Sequence, residues 1–414
     1  MKSKRMRALV TGVAAVVFGI YAETAFSGDR DQPGNDPVAV AVQKGISWLV
    51  SVQGNDGGWG QDGGETSYVR KGERLESNGN DVANTAVAAE ALLHTGNTPT
   101  SGPYRQNLRR ALDFILAHVE KSPADGLAVT DLQGTQIQRK LGPYIDTFLT
   151  SKLLAELDGN MGDPQLNTRV RQDLQKCVAK IEKSQLKDGS WNISGGWAPI
   201  LGTSMASQSL FMAKQKGVAV NEVAMARVQD YTLKSGSGGG VGSGSGGGYG
   251  PGVRGGVAGG TLGGVPSTTA TTAPTSTAMT VTVDAASAGV PLYKRAQELE
   301  QLSRTDEDRK KNARQIAAIK DQLSDARVAS GFGSIGGEEF FSWLNIGDSL
   351  HRAGGPEWTR WNADMTAKIL RLQNEDGTWA GQHCITGRVA VTSAAILMLR
   401  ADREPVVLTS NAKR

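Results

Sequence analysis

Cysteine and histidine are scarce in this 414-residue chain, with two of the first and four of the second. Cys177 and Cys384 are too few and too far apart for a Cys-rich zinc site, so no metal and no cofactor is expected from them. A disulfide between them and two separate buried thiols both remain open. Aromatic residues make up only 6% of the chain. No apolar run reaches the roughly 20 residues of a membrane-spanning helix. Charge of one sign is not in excess either. The formal net charge is +4, and setting aside residues 1–27, with four basic residues and one acid, leaves +1. Nothing in that balance suggests a nucleic-acid surface, and no nucleic-acid partner is expected.

The first residues read as an export signal. Lys2, Lys4, Arg5 and Arg7 precede the largely apolar Ala8 to Ala22, and Ala25-Phe26-Ser27 places small residues before a cleavage point at Gly28. The protein is therefore expected in the periplasm, the envelope or the extracellular space. Membrane association is expected only if the signal stays uncleaved.

Glycine is abundant, at 53 residues, and part of it belongs to a repeat. Gln53-Gly-Asn-Asp56-Gly57-Gly58-Trp59 recurs as Gln185-Leu-Lys-Asp188-Gly189-Ser190-Trp191 and as Gln373-Asn-Glu-Asp376-Gly377-Thr378-Trp379. At background residue frequencies near one in twenty, one window matches all four fixed positions about once in 10⁵. Three copies make a repeat. An amphipathic helical stretch precedes the first motif, with Val42, Ile46, Leu49 and Val50 at helical spacing. Segments apolar on most sides, Val82 to Leu93 and Val389 to Leu399, follow the first and last, and such helices belong in a core. The spacing thus predicts pairs of one outer and one buried helix, joined at a glycine turn. In that turn Gly57, Gly189 and Gly377 adopt the left-handed conformation. Asp caps nearby amides, and Trp lies over the Gln amide as a clasp. Two degenerate pairs add Tyr104 to Glu120 with Tyr144 to Leu157, and Asn221 to Leu233 with Glu338 to His351. The expected fold is an all-α (α/α) toroid of about five helix pairs.

An insertion at 236–331 interrupts the last of those pairs. It opens Gly/Ser-rich, continues Thr-rich from Ser267 to Thr277, and is expected to be a flexible linker. No Gly-Lys-Ser/Thr ending follows, so a phosphate loop is excluded. Leu292 to Val328 reads instead as an amphipathic helix, or a short hairpin broken near Ser303 to Asp306. It is a candidate docking segment (292–328) for a protein partner. The expected layout is a signal at 1–27, toroid at 28–235, insertion at 236–331, toroid again at 332–402, and a tail at 403–414.

The three motifs resemble the QW repeats of squalene and hopene cyclases and the related repeats of protein prenyltransferase β-subunits. Gly336-Gly337-Glu338-Glu339-Phe340-Phe341 and His383-Cys384-Ile385-Thr386-Gly387-Arg388 look like stretches of exported bacterial members of unassigned activity. The resemblance implies a ring whose inner helices line a central cavity. It does not bring a reaction with it. The Asp-x-Asp-Asp of protonating cyclases is absent, and the nearest string, Asp306-Glu307-Asp308, lies in the insertion. The Asp-x-Cys pair of zinc-binding prenyltransferases is absent too, since Cys384 follows His383 directly.

Residues at the starts of the inner helices are the candidates for a site. Asp81 and Asn84 stand at the first, Tyr144 and Asp146 at the second, Glu338, Glu339, Trp343 and Asn345 at the fourth, and His383 and Arg388 before the fifth. Asp81 and Glu338 also suit the positive end of a helix dipole, and Arg388 suits an ion pair with one of them. Three readings follow. The first is a toroid that binds an apolar or glycan-like ligand in its cavity without the family's usual catalysis. The second is an enzyme, a terpenoid cyclase or a lyase or hydrolase, with Glu338, Glu339, His383 or Asp146 as acid or base. The third is an interaction scaffold of the cell envelope.

Overall fold

Helices begin where the sequence supplies caps. The Asp36 carboxylate accepts from the Val38 amide, Pro37 occupies the first turn, and α1 (Pro37–Ser51) follows. A computed structural model of the chain describes residues 36–63, 79–193, 199–237, 289–324 and 335–401. The expected signal, the Gly/Ser/Thr-rich stretch and the tail lie outside them. Further along are α2 (Val82–His94), α3 (Arg105–Lys121), α4 (Gln136–Leu141), α5 (Ile145–Leu157) and α6 (Pro164–Lys183). Next come α7 (Pro199–Gln215), α8 (Glu222–Ser237), α9 (Gly289–Leu302), α10 (Asp306–Lys311) and α11 (Ala313–Leu323). The last three are α12 (Gly337–Ala353), α13 (Pro356–Arg371) and α14 (Arg388–Arg400). The described residues contain no β-strand beyond two isolated bridges, so the chain is all-helical there. None of these helices is long and apolar enough to cross a membrane.

Two kinds of helix alternate. Outer helices bury one stripe, as α1 does with Ala41, Val42, Ile46 and Leu49 and α6 with Val170, Leu174, Cys177 and Ile181. Inner helices are buried on all sides, as α2 is at every residue from Val82 to Leu92 and α14 from Val389 to Leu399. The inner helices pack in a closed circuit, α2 on α5, α5 on α7, α7 on α9, α9 on α12, α12 on α14 and α14 back on α2. Against them lie α1, α3, α6, α8, α11 and α13. Among the described residues this is an (α/α) toroid.

The circuit holds six pairs where the sequence suggested about five. The segment read as an insertion helix supplies two members. α9 is the inner partner of α8, and α11 lies outside α9 and α12. The chain does break at Ser303 to Thr305, where the hairpin was expected to turn. The apolar stripe read as a docking face is already used, since Leu299, Ile316, Ile319 and Leu323 are all buried. α9 hides as an inner helix because its buried face is polar. Glu298 pairs with Arg295 at 2.6 Å and accepts from Gln315 at 2.6 Å. Arg304 bridges Glu300 and the Ser207 hydroxyl of α7, each at 2.8 Å, and Gln301 also donates to that hydroxyl at 2.8 Å. Buried polar groups are tolerated when paired in this way.

The three repeated turns have one geometry. Each Trp indole donates to a carbonyl in the last turn of the preceding outer helix, Trp59 to Leu49 at 2.8 Å, Trp191 to Ile181 at 2.7 Å and Trp379 to Ile369 at 2.8 Å. This hydrogen bond, which the sequence did not announce, satisfies a helix-end carbonyl. Each Trp backbone amide donates to an inner-helix threonine, Thr85, Thr203 or Thr392, at 2.9, 3.1 and 3.0 Å. Each Gln amide spans its own turn and reaches the first turns of the next outer helix. Gln53 donates to Asn107, Gln185 to Ala224 and Gln373 to Ala41, all at 2.9 Å. The glycines have φ of 91°, 92° and 87°. A Cβ on Gly57 or Gly189 would stand 2.3 Å from the backbone oxygen of Arg110 or Arg227, so only glycine fits there. The motif therefore locks each helix pair to the next.

Candidate functional site

Among the described residues, the inner helices present no exposed face to the centre of the ring. Residues lining an open channel would be exposed to it, yet α2 and α14 are buried along nearly their whole length. Asn345 of α12 donates to Ser204 of α7 at 3.1 Å, a bond between helices that are not neighbours in the circuit. A cavity between α12 and α13 holds about 10 Å³, no more than a water. The polar groups gather instead at the two ends of the inner helices.

At the N-terminal ends, two stretches distant in sequence meet. The start of α12 packs on the turn 381–387, with Gln382 donating its amide to Ile335 at 2.7 Å and Gly337 donating to His383 at 3.3 Å. The approach is so close that a Cβ on Gly337 or on Gly381 would lie 2.0 or 2.1 Å from the Ile385 carbonyl oxygen. Gln136 of α4 holds the far side of the turn, donating to Thr386 at 3.0 Å and accepting from the Thr386 and Gly387 amides at 3.0 and 3.2 Å. This arrangement sets Glu338 Oε1 3.5 Å from His383 Nδ1. Glu338 is 1% exposed, while the His383 side chain is 42% exposed. Cys384 is the one described non-glycine residue at positive φ, 62°, which turns its thiol toward the same carboxylate. Burial raises that thiol, with a hydrogen bond to Glu338 acting in the same direction and one from Lys140 against it. Glu338, His383 and Cys384 each place a donor atom within 4.8 Å of the other two, and so could hold a metal ion.

The other candidates fall in different places. Glu339 accepts from the Gly336 amide at 3.1 Å, and burial pushes its carboxyl up to about 7. Asp81 caps α2, accepting from the amide and the side chain of Asn84 at 2.8 Å each, and burial pushes it up to about 6. Asp146 is fully buried, accepts from Gln138 at 3.3 Å, and is pushed up to about 7 by burial, with the neighbouring Asp81 charge adding to the rise. Tyr144 is half-buried at the start of α5. Trp343 faces outward, tilted against Phe340 with ring centroids 5.1 Å apart and under Lys368 at 4.3 Å, so it does not line the centre. Arg388 does not pair with Asp81 or Glu338. It reaches Asp62 at 3.4 Å and Asp376 at 3.1 Å, which ties the third repeat to the first. Cys177 and Cys384 are separate free thiols, with Cys177 inside the outer helix α6.

A second cluster sits at the C-terminal ends. Lys152 of α5 pairs with Glu90 of α2, and Glu156 pairs with His94 at 2.8 Å. Burial opposes charge on Lys152, but the surrounding carboxylates outweigh it and raise the ammonium above its usual range. Glu90, His94 and Glu156 also lie within metal-ligand spacing. Their charges are matched in pairs, so this cluster is closed in a way that the first is not.

Gln136, Gln138 and Lys140 were missed by the sequence reading. α4 carries no repeat signature, and its tie to the turn at 386 spans 250 residues. The threonines under each Trp escaped because their distance from it varies, 26, 12 and 13 residues.

No protein-family profile matches the chain, and no curated protein matches it in sequence. Among solved structures it is similar to a variant of the type II terpene cyclase MstE from Scytonema in complex with geranylgeranyl dihydroxybenzoate. The match covers 88% of this chain and 97% of that one, at 10% identity and a TM-score of 0.34. A likeness that shallow says nothing of the reaction or substrate of this chain.

Proposed function

We propose that this chain is an enzyme of the hydrolase or lyase type, working at the N-terminal ends of its inner helices. The observation that supports this is the Glu338–His383 pair, a buried carboxylate 3.5 Å from the imidazole of a half-exposed histidine. A carboxylate beside Nδ1 helps to orient the ring, and an imidazole held in this way can exchange a proton with a bound molecule. His383 is the group that would meet substrate, and Glu338 is its positioning residue. Glu339 and Lys140 add polar groups at the same mouth. The expected apolar or glycan-like ligand would then sit on this mouth, because the inner-helix faces among the described residues are buried. Export, as residues 1–27 suggest, belongs to the same proposal and would give the site access to envelope or extracellular molecules.

The test is turnover of small molecules from an envelope extract of the source cells, followed by untargeted mass spectrometry. The wild type should consume at least one compound that His383→Ala leaves untouched. Glu338→Gln should slow that turnover by about 10²–10⁴-fold and shift its pH profile. Equal consumption by wild type and His383→Ala, or no consumption by either, would overturn the reading.

A further inference from the structure

The Glu338 carboxylate poses a problem that the acid–base reading leaves open. Oε1 faces His383, but Oε2 is buried and has no hydrogen-bond partner. An unsatisfied buried carboxylate oxygen is costly and needs a compensating group. The His383 contact is itself long for a hydrogen bond at 3.5 Å. It is close to another distance. Two ligands held by zinc at about 2.0–2.1 Å in tetrahedral geometry stand about 3.3 Å apart. The third donor, the Cys384 sulfur, lies within 4.8 Å of both, and needs only a side-chain adjustment of about 1 Å to reach the tetrahedral edge.

We propose that Glu338, His383 and Cys384 bind one zinc ion at the mouth of the ring. A carboxylate, an imidazole and a thiolate suit zinc better than the hard cations magnesium or calcium. The donors come from a helix start and a two-residue turn, not from an Asp-x-Cys pair. Binding replaces the Cys384 thiol proton, which leaves to solvent, and two anionic donors then balance the dication. Three protein ligands leave the fourth position for water or substrate, the pattern of a reacting site. Lys140, whose charge acts on the Cys384 thiol, stands near the sulfur from outside the donor set. The Glu90–His94–Glu156 cluster offers no comparable site, because Lys152 already neutralises Glu90 and Glu156 is already paired with His94 at 2.8 Å.

The inference rests on the same mouth as the proposed reaction, and the two fail separately. Full-length protein is purified without chelator, assayed for bound zinc by elemental mass spectrometry, stripped, and titrated with zinc and cobalt(II). The expected result is one zinc per chain and, with cobalt(II), a thiolate-to-metal charge-transfer band. Cys384→Ser should abolish the band. Glu338→Gln and Cys384→Ser should each weaken zinc binding by more than the 10–100-fold typical of an outer-shell change, at unchanged helical signal. Glu156→Gln should leave binding at one equivalent. Absence of zinc binding on titration, cobalt binding without a thiolate band, or binding lost in Glu156→Gln but kept in Glu338→Gln would overturn the proposal. Should a Glu338 or Cys384 variant fail to fold, the cobalt band in the wild type still decides the matter. Zinc binding absent while the protein still turns over would sink the zinc and keep the acid–base reading; zinc bound without any turnover would do the reverse.

Discussion

The Gln373 side-chain amide donates to the Ala41 carbonyl at 2.9 Å, across 332 residues of chain. The last repeat thereby grips the first helix, and the same amide donates to Gly377 at 2.9 Å within its own turn. Gln373→Ala would leave two carbonyls without this donor. Loss of stability by about 1–3 kcal/mol is expected in urea unfolding. A variant as stable as the wild type would show that closure does not depend on this contact.

Leu299 distinguishes a ring helix from an appended one. It is fully buried on α9, which packs against α8, α11 and α12. Leu299→Ala is expected to lower the main unfolding transition by about 2–5 kcal/mol. An unchanged transition would return 289–324 to the status of an appendage.

Gly57 stands at φ 91° with the Arg110 carbonyl oxygen 2.3 Å from where a Cβ would be. Gly57→Ala therefore meets both backbone strain, about 1–2 kcal/mol, and a collision with main chain that no rotamer relieves. Marked loss of soluble, folded protein is expected. A melting temperature within a degree or two of wild type would count against the clasp geometry.

Asp146 makes stability depend on pH. Burial pushes its folded-state carboxyl up to about 7 from an ordinary 3.8, with the charge of Asp81, itself pushed up to about 6, adding to the rise and Cys177 nearby. Between those values the folded chain keeps a proton that the unfolded chain has released. The contribution is present in full below about pH 4 and is lost as pH rises through about 7. Asp146→Asn is expected to flatten part of this fall, worth about 4 kcal/mol at most, and to be relatively more stable at pH 8. Parallel pH–stability curves for the two proteins would refute the buried protonated carboxyl.

Much of the ring was legible in the chain. Gln, Asp, Gly and Trp at fixed spacing mark the turns because each makes a local hydrogen bond or needs a local backbone angle. α2, α5 and α14 could be read as inner helices because their burial is written in Val, Ala and Leu. α9 could not, since Glu298, Glu300 and Gln301 are buried and find partners in Gln315 of α11, Arg304 and Ser207 of α7 only once those groups have come alongside. The site was half legible. Glu338 and His383 were both candidates, but nothing in the chain joins them, and Cys384 gained its part only from a left-handed turn held by Gln136. Trp343 was drawn in by its position near a helix start, where one residue's rotation decides between the centre and the outer layer.

The account turns on which end of the ring does chemistry, and kcat/KM of two variants on the consumed compound decides it. Glu338→Gln at the N-terminal mouth is expected to lose about 10²-fold or more with its melting temperature little changed. Glu156→Gln at the opposite end is expected to melt earlier, having lost its charge pairing with His94, and to keep wild-type turnover once folded. Full activity in Glu338→Gln together with loss in folded Glu156→Gln would contradict the assignment and move the working site to the other end.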